Sequence, residues 1–328
     1  MSGLQVVLGA SGGIGGAVVR ELASRALEVR AASRRGDVEA LDGVTGRAAD
    51  VATPAGAAAA CEGALVVYHC VQPPYHRWPE DLPRLTRVVT DAVAREGAKL
   101  VVADNLYMYG PITGPISEAS PQQPASRKGR VRKEVAEALL AAHTAGRLRV
   151  TIGRASDYYG PGGRNSVAGE TVFGAAVAGK RVRWPASADQ PRSFSYLPDL
   201  ARALVTLGES DAADGRAWIV PSAPPLTARE LLGLVERELG QPVKLAVTSK
   251  VAMRLAGLLI PQARELPDIW YQFSAPFVAD GSSFEAAFST FGPTAHEPAV
   301  RETVAWFRAE AGVTNVAALG QTDTRPRG

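Results

Sequence analysis

Three glycines near the start of the sequence have the spacing of a phosphate-binding loop. Residues 4–8 are almost all apolar, which predicts a buried strand, and Gly9, Gly12 and Gly15 follow it before a helical pattern. The first glycine permits a tight turn, the second a close approach to a pyrophosphate, and the third close packing of helix and strand. The helix N-terminus adds free N–H groups and a positive dipole end. We therefore expect a dinucleotide to be held here by Gly9, Ser11, Gly12, Gly13, Ile14 and Gly15.

The end of the second predicted strand carries the residues that should distinguish NAD(H) from NADP(H). An acidic residue about 20 positions after the loop would bind the ribose 2′-hydroxyl of NAD(H), but this sequence has Ser33, Arg34 and Arg35 there. Arginine suits the 2′-phosphate of NADP(H), because the guanidinium makes paired, charge-assisted hydrogen bonds. An exposed basic loop without a ligand is the alternative interpretation. The sequence predicts NADP(H), with NAD(H) as the weaker alternative.

The composition limits the classes of protein to which such a site can belong. Of 328 residues, 46% are hydrophobic and 21% charged, with a net charge of +3. A globular core in about two lobes is expected, and a nucleic-acid partner is not. Cys61 and Cys70 are too few for a disulfide framework, and no residues have metal-ligand spacing. The sequence shows neither a signal-peptide pattern nor a membrane-span pattern. We expect a cytoplasmic protein that acts on a small molecule.

Strand-like and helical segments alternate in the first half of the sequence. Strands are predicted at 4–8, 27–32, 47–49, 64–70, 99–103 and 148–153, and helices at 12–25, 54–61, 79–95 and 127–145. This alternation predicts an α/β fold, a Rossmann-type doubly wound parallel sheet. Later helices are predicted at 167–178, 198–207, 228–239, 250–259 and 299–310, and later strands at 193–196 and 217–220. Residues 1–160 would bind the dinucleotide, with elements around 190–220 returning to that domain. Residues 161–312 would form mainly a smaller C-terminal α/β substrate lobe, and 313–328 a flexible tail.

Four further segments follow the glycine loop in a specific order. They are Asp50-Val51, LVVADNLYMYG at 100–110, GRASDYYGPG at 153–162 and RSFSYLPDLARA at 192–203. Together with the loop, they resemble the extended or atypical short-chain dehydrogenase/reductase superfamily of the NAD(P)-dependent epimerase/dehydratase type, from residue 4 to about 310. The resemblance implies cofactor contacts from Asp50, Val51, Cys70, Val71, Gln72 and Asp157. It also implies a homodimer through the helices near 79–95 and 127–145.

The catalytic positions depart from the pattern of that family. There a tyrosine and a lysine four residues later share a helix face, and a serine or threonine ends the fifth strand. Lys133 matches the lysine and would bind the nicotinamide ribose, but Gly129 stands at the tyrosine position and Asn105 at the serine position. The sequence has only six lysines, which makes one at this position informative. A register shifted by one residue would instead pair Lys128 with Arg132, which also lacks a tyrosine.

Other side chains are candidates for the missing proton donor. Tyr107 is the strongest, because a nearby lysine can lower the pKa of a phenol; His76 is a second, and Asn105 could donate to a substrate oxygen. Packing roles are the alternative for Tyr107 and for the loop around His76. Candidate substrate contacts are Tyr75, Arg77, Trp78, Tyr158, Tyr159 and Arg192. Arg192 resembles the position that contacts a phosphate in sugar-nucleotide members of the family.

Three functions are compatible with these residues. The first is an NADP(H)-dependent oxidoreductase that reduces a carbonyl, an imine or an activated C=C of a small molecule with a non-standard proton donor. The second is a protein that binds or senses NADP(H) without catalysis. The third is a sugar-nucleotide epimerase or dehydratase, against which Gly129 and the Arg34-Arg35 pair both argue. The first is the prediction, and the others are its alternatives.

Overall fold

A computed structural model describes residues 3–256 and 266–320 of the chain. The strands are β1 Gln5–Leu8, β2 Val29–Ser33, β3 Val44–Ala48, β4 Val66–His69, β5 Lys99–Asp104, β6 Arg149–Arg154, β7 Asp157–Tyr159, β8 Val182–Pro185, β9 Phe194–Tyr196, β10 Ala217–Ile219 and β11 Leu245–Thr248. The helices are α1 Gly13–Ser24, α2 Pro54–Cys61, α3 Trp78–Glu96, α4 Arg127–Thr144, α5 Ala175–Val177, α6 Leu197–Glu209, α7 Ala228–Leu239, α8 Lys250–Ala256, α9 Tyr271–Ser274, α10 Ser282–Ala287 and α11 His296–Gly320.

Seven parallel strands form the central sheet in the order β10-β6-β5-β4-β1-β2-β3. The residues of β1 and β4 are buried throughout, as expected for strands covered by helices on both faces. From β1 the chain adds β2 and β3 on one side of the sheet, and then β4, β5 and β6 on the other. Open α/β sheets bind ligands at such a switch point, here between β1 and β4, beyond the carboxyl ends of the strands. The Rossmann-type doubly wound sheet predicted from the sequence is confirmed.

Side-chain caps mark the starts of α4 and α7. The hydroxyl of Thr227 accepts from the backbone N–H of Glu230, and the carboxylate of Glu230 accepts in return from the N–H of Thr227. Ser126 caps α4 by accepting from the N–H of Gly129 at 3.0 Å. The start of α4 determines which of its residues face the sheet.

The second lobe has its own core beside the sheet. Its large buried side chains include the aromatic residues Tyr159, Phe173, Trp184, Phe194, Phe273 and Phe307. Two parts differ from the sequence prediction. The helix expected at 167–178 is a π-helical stretch, Gly169–Gly174, followed by the short α5. Helix α11 continues to Gly320, into the segment expected to be a tail, while 257–259 and 321–328 lie outside the described residues.

None of the helices described in 3–256 and 266–320 is long and apolar enough to cross a membrane.

Candidate functional site

The glycine loop has the backbone geometry that a phosphate cradle needs. Gly9 has a φ of +86°, a conformation that favours glycine. A Cβ atom on Gly15 would lie 2.1 Å from the carbonyl oxygen of Gly9, so no larger residue fits without moving the loop. Gly12 is the N-cap of α1, and the free N–H groups of the first turn of α1 therefore face the loop. The residues present thus fit a pyrophosphate.

A cleft of about 450 Å³ opens beside this loop. Its volume lies within the range of roughly 300–1,000 Å³ that is typical of small-molecule sites. The carbonyl of Gly162 would lie 2.7 Å from a Cβ atom on Gly13, so the loop after β7 packs closely onto the start of α1. The cleft is lined by Ala10, Ser11, Gly12, Gly13, Gly16, Val19, Arg20, Asp37, Val38, Glu39, Gly162, Arg164 and Trp306.

The residues predicted to bind the adenosine half lie at the ends of β2 and β3. The hydroxyl of Ser33 accepts from the N–H of Gly36 at 2.9 Å and shapes the turn. Arg34 is exposed, and exposed Arg35 lies 2.9 Å from Asp37. Asp50 accepts from the N–H of Ala52 at 3.1 Å, and Val51 is buried. Both arginines are therefore accessible to a phosphate, and their role stays a prediction.

Helix α4 presents Lys128 and Arg132, and not Lys133, to the interior. Lys128 is 2% exposed and Arg132 is 4% exposed. The side chain of Lys133 is 36% exposed, donates to the carbonyl of Gln122 at 3.2 Å and lies 3.8 Å from Glu137. The ribose-binding role of Lys133 therefore stays a prediction, and the register shifted by one residue, in which Lys128 and Arg132 are the buried pair, stays its alternative.

At Gly129, helix α4 packs closely onto the turn after β5. A Cβ atom there would lie 2.5 Å from the carbonyl oxygen of Tyr107, so the helix backbone packs directly onto the 3₁₀ turn Tyr107–Tyr109. Asn105, which the sequence places at the serine position, accepts from the N–H of Tyr107 at 3.0 Å through its side-chain oxygen. Asn105 therefore holds the turn on which Tyr107 stands.

Arg132 is held by groups of the protein itself. Its guanidinium donates to Asp104 at 3.2 Å and to Gln72 at 2.5 Å, and it lies 4.1 Å above the ring of Trp78. Arg154 donates to the other oxygen of Asp104 at 3.3 Å. Burial lowers the pKa of Arg132, and the charge of Asp104 opposes that shift. Asp104 is the carboxylate that both buried guanidiniums share.

A small cavity of about 10 Å³ lies beside Arg132, which is room for one water molecule. His69 and Gln72 line it together with Asp104. Among the described residues, neither Nδ1 of His69 nor Nε of Arg132 has a hydrogen-bond partner, although both are buried. Burial lowers the pKa of His69 to about 4, with a smaller contribution from the charge of Arg132. The imidazole is therefore neutral at neutral pH.

Two tyrosines meet where β4 and β5 end. Tyr75 lies in the 3₁₀ turn Tyr75–Arg77, and its hydroxyl donates to that of Tyr107 at 3.5 Å. The ammonium of Lys128 lies 4.2 Å from the centre of the Tyr75 ring. Burial raises the pKa of Tyr107, and the charge of Asp157 adds to the shift. The expectation that a lysine lowers this pKa is therefore wrong, because desolvation of the phenol dominates.

The other residues predicted in the loop after β4 are divided between surface and interior. His76 is exposed, and Arg77 is exposed and lies 2.8 Å from Asp81 of α3. Trp78 is buried, and its indole N–H donates to the carbonyl of Pro73 at 3.0 Å. Burial raises the pKa of the Cys70 thiol to about 12, so this thiol stays protonated. Only Trp78 of these four takes part in the cluster around Arg132.

Two predicted substrate residues belong to the interior of the second lobe. Tyr159 stacks on Phe173 with ring centres 5.7 Å apart, and its hydroxyl bonds Nδ1 of His296 at 3.0 Å. It is a core residue and not a pocket residue, which corrects its predicted role. Arg192 is 2% exposed, donates to Asp157 and lies 4.5 Å from the ring of Phe273. Tyr158 is half-buried, and burial raises its pKa.

No three His, Cys, Asp or Glu side chains are grouped as metal ligands within the described part of the chain.

Comparison with known proteins identifies the family. The sequence profile of the NAD dependent epimerase/dehydratase family matches residues 5–220. The chain belongs to this family. No curated protein matches the sequence.

Solved structures of epimerases and dehydratases share the fold. A UDP-glucuronic acid 4-epimerase from Bacillus cereus, in complex with UDP-glucuronic acid and NAD, is 16% identical, covering 94% of this chain and 99% of its own with a TM-score of 0.76. A UDP-glucose 4-epimerase from Thermus thermophilus with NAD is 20% identical, covering 93% and 99%, with a TM-score of 0.74. A dTDP-glucose 4,6-dehydratase from Streptomyces venezuelae with NAD bound is 19% identical, covering 94% and 98%, with a TM-score of 0.77.

Sequence reasoning missed the buried ion cluster of this family member. Asp104 and Arg154 end the adjacent strands β5 and β6, and no local pattern in the sequence indicates that their side chains pair. A signal for the inward face of α4 was nevertheless present. Arg132 precedes Ala136 by four residues and Leu139 by seven, and both apolar residues are buried against the sheet.

Proposed function

We propose that the protein binds a nicotinamide dinucleotide at the glycine loop and uses it in the oxidation–reduction chemistry of its family. The observation that carries the proposal is the fit of the loop: Gly9 turns at a φ of +86°, Gly12 is the N-cap of α1, and Gly15 packs so closely that a Cβ atom would lie 2.1 Å from the carbonyl oxygen of Gly9. A bound nicotinamide would supply hydride transfer, while the protein binds, orients and moves the proton.

The comparisons favour an epimerase or dehydratase over the NADP(H)-dependent reductase predicted from the sequence. The family and the three similar structures are named for these reactions, and the structures carry NAD. A sugar nucleotide is therefore the first substrate class to test, with oxidation at one carbon followed by return of the hydride within the same site. Tyr107 is the proton-transferring group that we assign, because it stands at the carboxyl end of β5.

One observation supports reduction of a carbonyl as the second candidate. Removing a proton from an alcohol requires a phenolate, whereas donating one to a carbonyl oxygen requires the neutral phenol. Burial raises the pKa of Tyr107, which further disfavours the phenolate that oxidation of an alcohol requires. The neutral phenol suits a reductase better than an enzyme that begins by oxidation.

Two measurements on the purified protein test the proposal. Fluorescence titration with NAD(H) and NADP(H) gives the affinity for each dinucleotide. In the double variant Arg34→Ala, Arg35→Ala, the affinity for NADP(H) should fall at least tenfold and the affinity for NAD(H) should stay unchanged. Exposed Arg183→Ala on β8 is the matched control. An unchanged NADP(H) affinity in the double variant would contradict the 2′-phosphate assignment.

Turnover is then measured with a panel of nucleotide sugars and a panel of carbonyl compounds, followed by absorbance of the reduced nicotinamide and by product NMR. Conversion of a nucleotide sugar supports the first candidate, and consumption of reduced dinucleotide by a carbonyl compound supports the second. Tight dinucleotide binding without conversion in either panel would establish a binding protein instead. Absence of dinucleotide binding would overturn the proposal altogether.

A further inference from the structure

Lys128, Tyr75 and Tyr107 lie in a row where β4, β5 and α4 meet. We propose that they form a proton relay, in which Tyr107 exchanges a proton with the substrate and Tyr75 exchanges it with Tyr107. Lys128 is a positioning residue that favours the ionised form of Tyr75. This inference rests on the proposed function and names residues that supply its proton.

The direction of the hydrogen bond between the two phenols sets the order of the relay. The hydroxyl of Tyr75 donates to the hydroxyl oxygen of Tyr107 at 3.5 Å. A hydroxyl that accepts in this way keeps its own proton to donate elsewhere. Tyr107 is therefore the member that can give a proton to a bound substrate, and Tyr75 is the member that restores it.

Lys128 supplies the charge that this arrangement needs. Its ammonium lies 4.2 Å from the centre of the Tyr75 ring, and the residue is 2% exposed. At this distance a cation interacts with the electron-rich face of the ring, and it lowers the energy of a phenolate on the same ring. The lysine of α4 thus acts on a phenol of the loop after β4. At the position where the family has a tyrosine, α4 itself has Gly129.

The ring of Trp78 keeps the two tyrosines in place. It meets Tyr75 edge-on with ring centres 4.9 Å apart and lies 6.1 Å from Tyr107. Arg132 lies on the ring of Trp78 and is buried. The pair is therefore held by packing and not only by its one long hydrogen bond.

Other charged and titratable groups also act on Tyr107. Asp157 of β7 raises the pKa of Tyr107, Arg132 of α4 lowers it, and the phenol of Tyr271 of α9 raises it. The hydrogen bond from Tyr75 lowers it as well. Loss of the Tyr75 hydroxyl therefore removes one of the groups that ease ionisation of Tyr107.

The step balances as follows in the direction of reduction. The carbonyl carbon receives a hydride from the reduced nicotinamide, and the carbonyl oxygen takes the proton of the Tyr107 hydroxyl. Tyr107 regains a proton from Tyr75, and Tyr75, which is half-buried, takes one from water. Oxidation of an alcohol runs through the same groups in reverse.

The first test does not depend on turnover. Difluorotyrosine, whose phenol is more acidic than that of tyrosine, is placed at position 75, and its ionisation is followed by absorbance in the full-length protein. We expect Lys128→Met to raise its pKa and Lys128→Arg, which keeps the charge, to leave it close to that of the unsubstituted protein. Dinucleotide affinity and circular dichroism verify that each variant folds. An identical titration in all three proteins would overturn the relay.

The second test compares Tyr107→Phe, Tyr75→Phe and the double variant during turnover. A general acid contributes roughly 10²–10⁴-fold, so Tyr107→Phe should lower kcat by about that factor. Tyr75→Phe should lower kcat by a smaller factor and change its pH profile, with KM for the dinucleotide unchanged. The double variant should be no slower than Tyr107→Phe alone.

The two tests separate the relay from the proposed function. A pKa of residue 75 that depends on Lys128, without turnover of any substrate, would leave the relay standing and overturn the enzymatic function. Turnover by an enzyme in which Tyr75→Phe has the kcat and pH profile of the unsubstituted protein would overturn the relay and leave the function standing.

Discussion

At the scale of single residues, one ion cluster limits how a ligand can bind at the carboxyl ends of β5 and β6. It consists of Asp104, Arg132 and Arg154. Two buried guanidiniums share one carboxylate, and the ring of Trp78 covers the face of Arg132. A ligand that reaches Arg132 must therefore compete with Asp104 for it. Lys128 lies instead against the ring of Tyr75, so the two buried cations of α4 have different neighbours.

Removal of the shared carboxylate should destabilise the protein. In Asp104→Asn two buried guanidiniums lose their counter-charge, and breaking a buried pair in this way lowers the free energy of unfolding by about 3–5 kcal/mol. Urea unfolding measures the change. Asp189→Asn is the matched control, because Asp189 pairs with Arg229 on the surface and exposed pairs contribute little. Equal stability of the two variants would show that the cluster is not required for folding.

Gly15 is the residue on which the phosphate cradle depends most. In Gly15→Ala the added methyl group would meet the carbonyl of Gly9 at 2.1 Å, so the loop must open and dinucleotide affinity should fall at least a hundredfold. Gly233→Ala in α7 is the control, because a Cβ atom there meets nothing within 4 Å and alanine favours a helix. Titration with reduced dinucleotide measures both. Unchanged affinity in Gly15→Ala would contradict the assignment of the loop.

At the scale of elements, the order of strands and helices is predictable because its signals are local. Each signal lies within a few neighbouring residues. Examples are the apolar run 100–103 inside β5 and the helical pattern of α7 after its cap at Thr227. The face of α4 is less predictable, since it depends on packing against α3, β6 and the turn at Tyr107. A shift of one residue there decides whether Arg132 or Lys133 faces the interior. Desolvation of Tyr107 depends on the second lobe and likewise leaves no local signal.

The cap of α4 should hold the first turn of the helix in place. Ser126→Ala removes the hydrogen bond to the N–H of Gly129, which costs about 1 kcal/mol and loosens the first turn. Thr227→Ala removes the equivalent bond in α7 at a similar cost. Trypsin digestion of the folded protein should be faster at Arg127 and Arg130 only in Ser126→Ala. Equal cleavage in both variants would show that the cap does not hold this turn.

At the scale of the whole molecule, the net charge of +3 conceals how charge is distributed. Buried cations such as Arg132, Arg154 and Arg192 have carboxylate partners within the protein. Arg34 and Arg35 lie exposed at the end of β2, where a phosphate can reach them. The balanced composition therefore fits a small-molecule site in which local basicity, and not total charge, selects the ligand.

Buried His69 should make the stability of the whole molecule fall in acid. Burial lowers the pKa of His69 to about 4, whereas an unfolded histidine has a pKa near 6.5. The unfolded chain therefore binds the proton first as pH falls from 6.5 towards 4, and the free energy of unfolding decreases through that window by up to about 3 kcal/mol. In His69→Asn this decrease should be absent from urea unfolding measured between pH 7 and pH 4. His76→Asn, at an exposed histidine, should keep it, and the same slope in both variants would refute the role of His69.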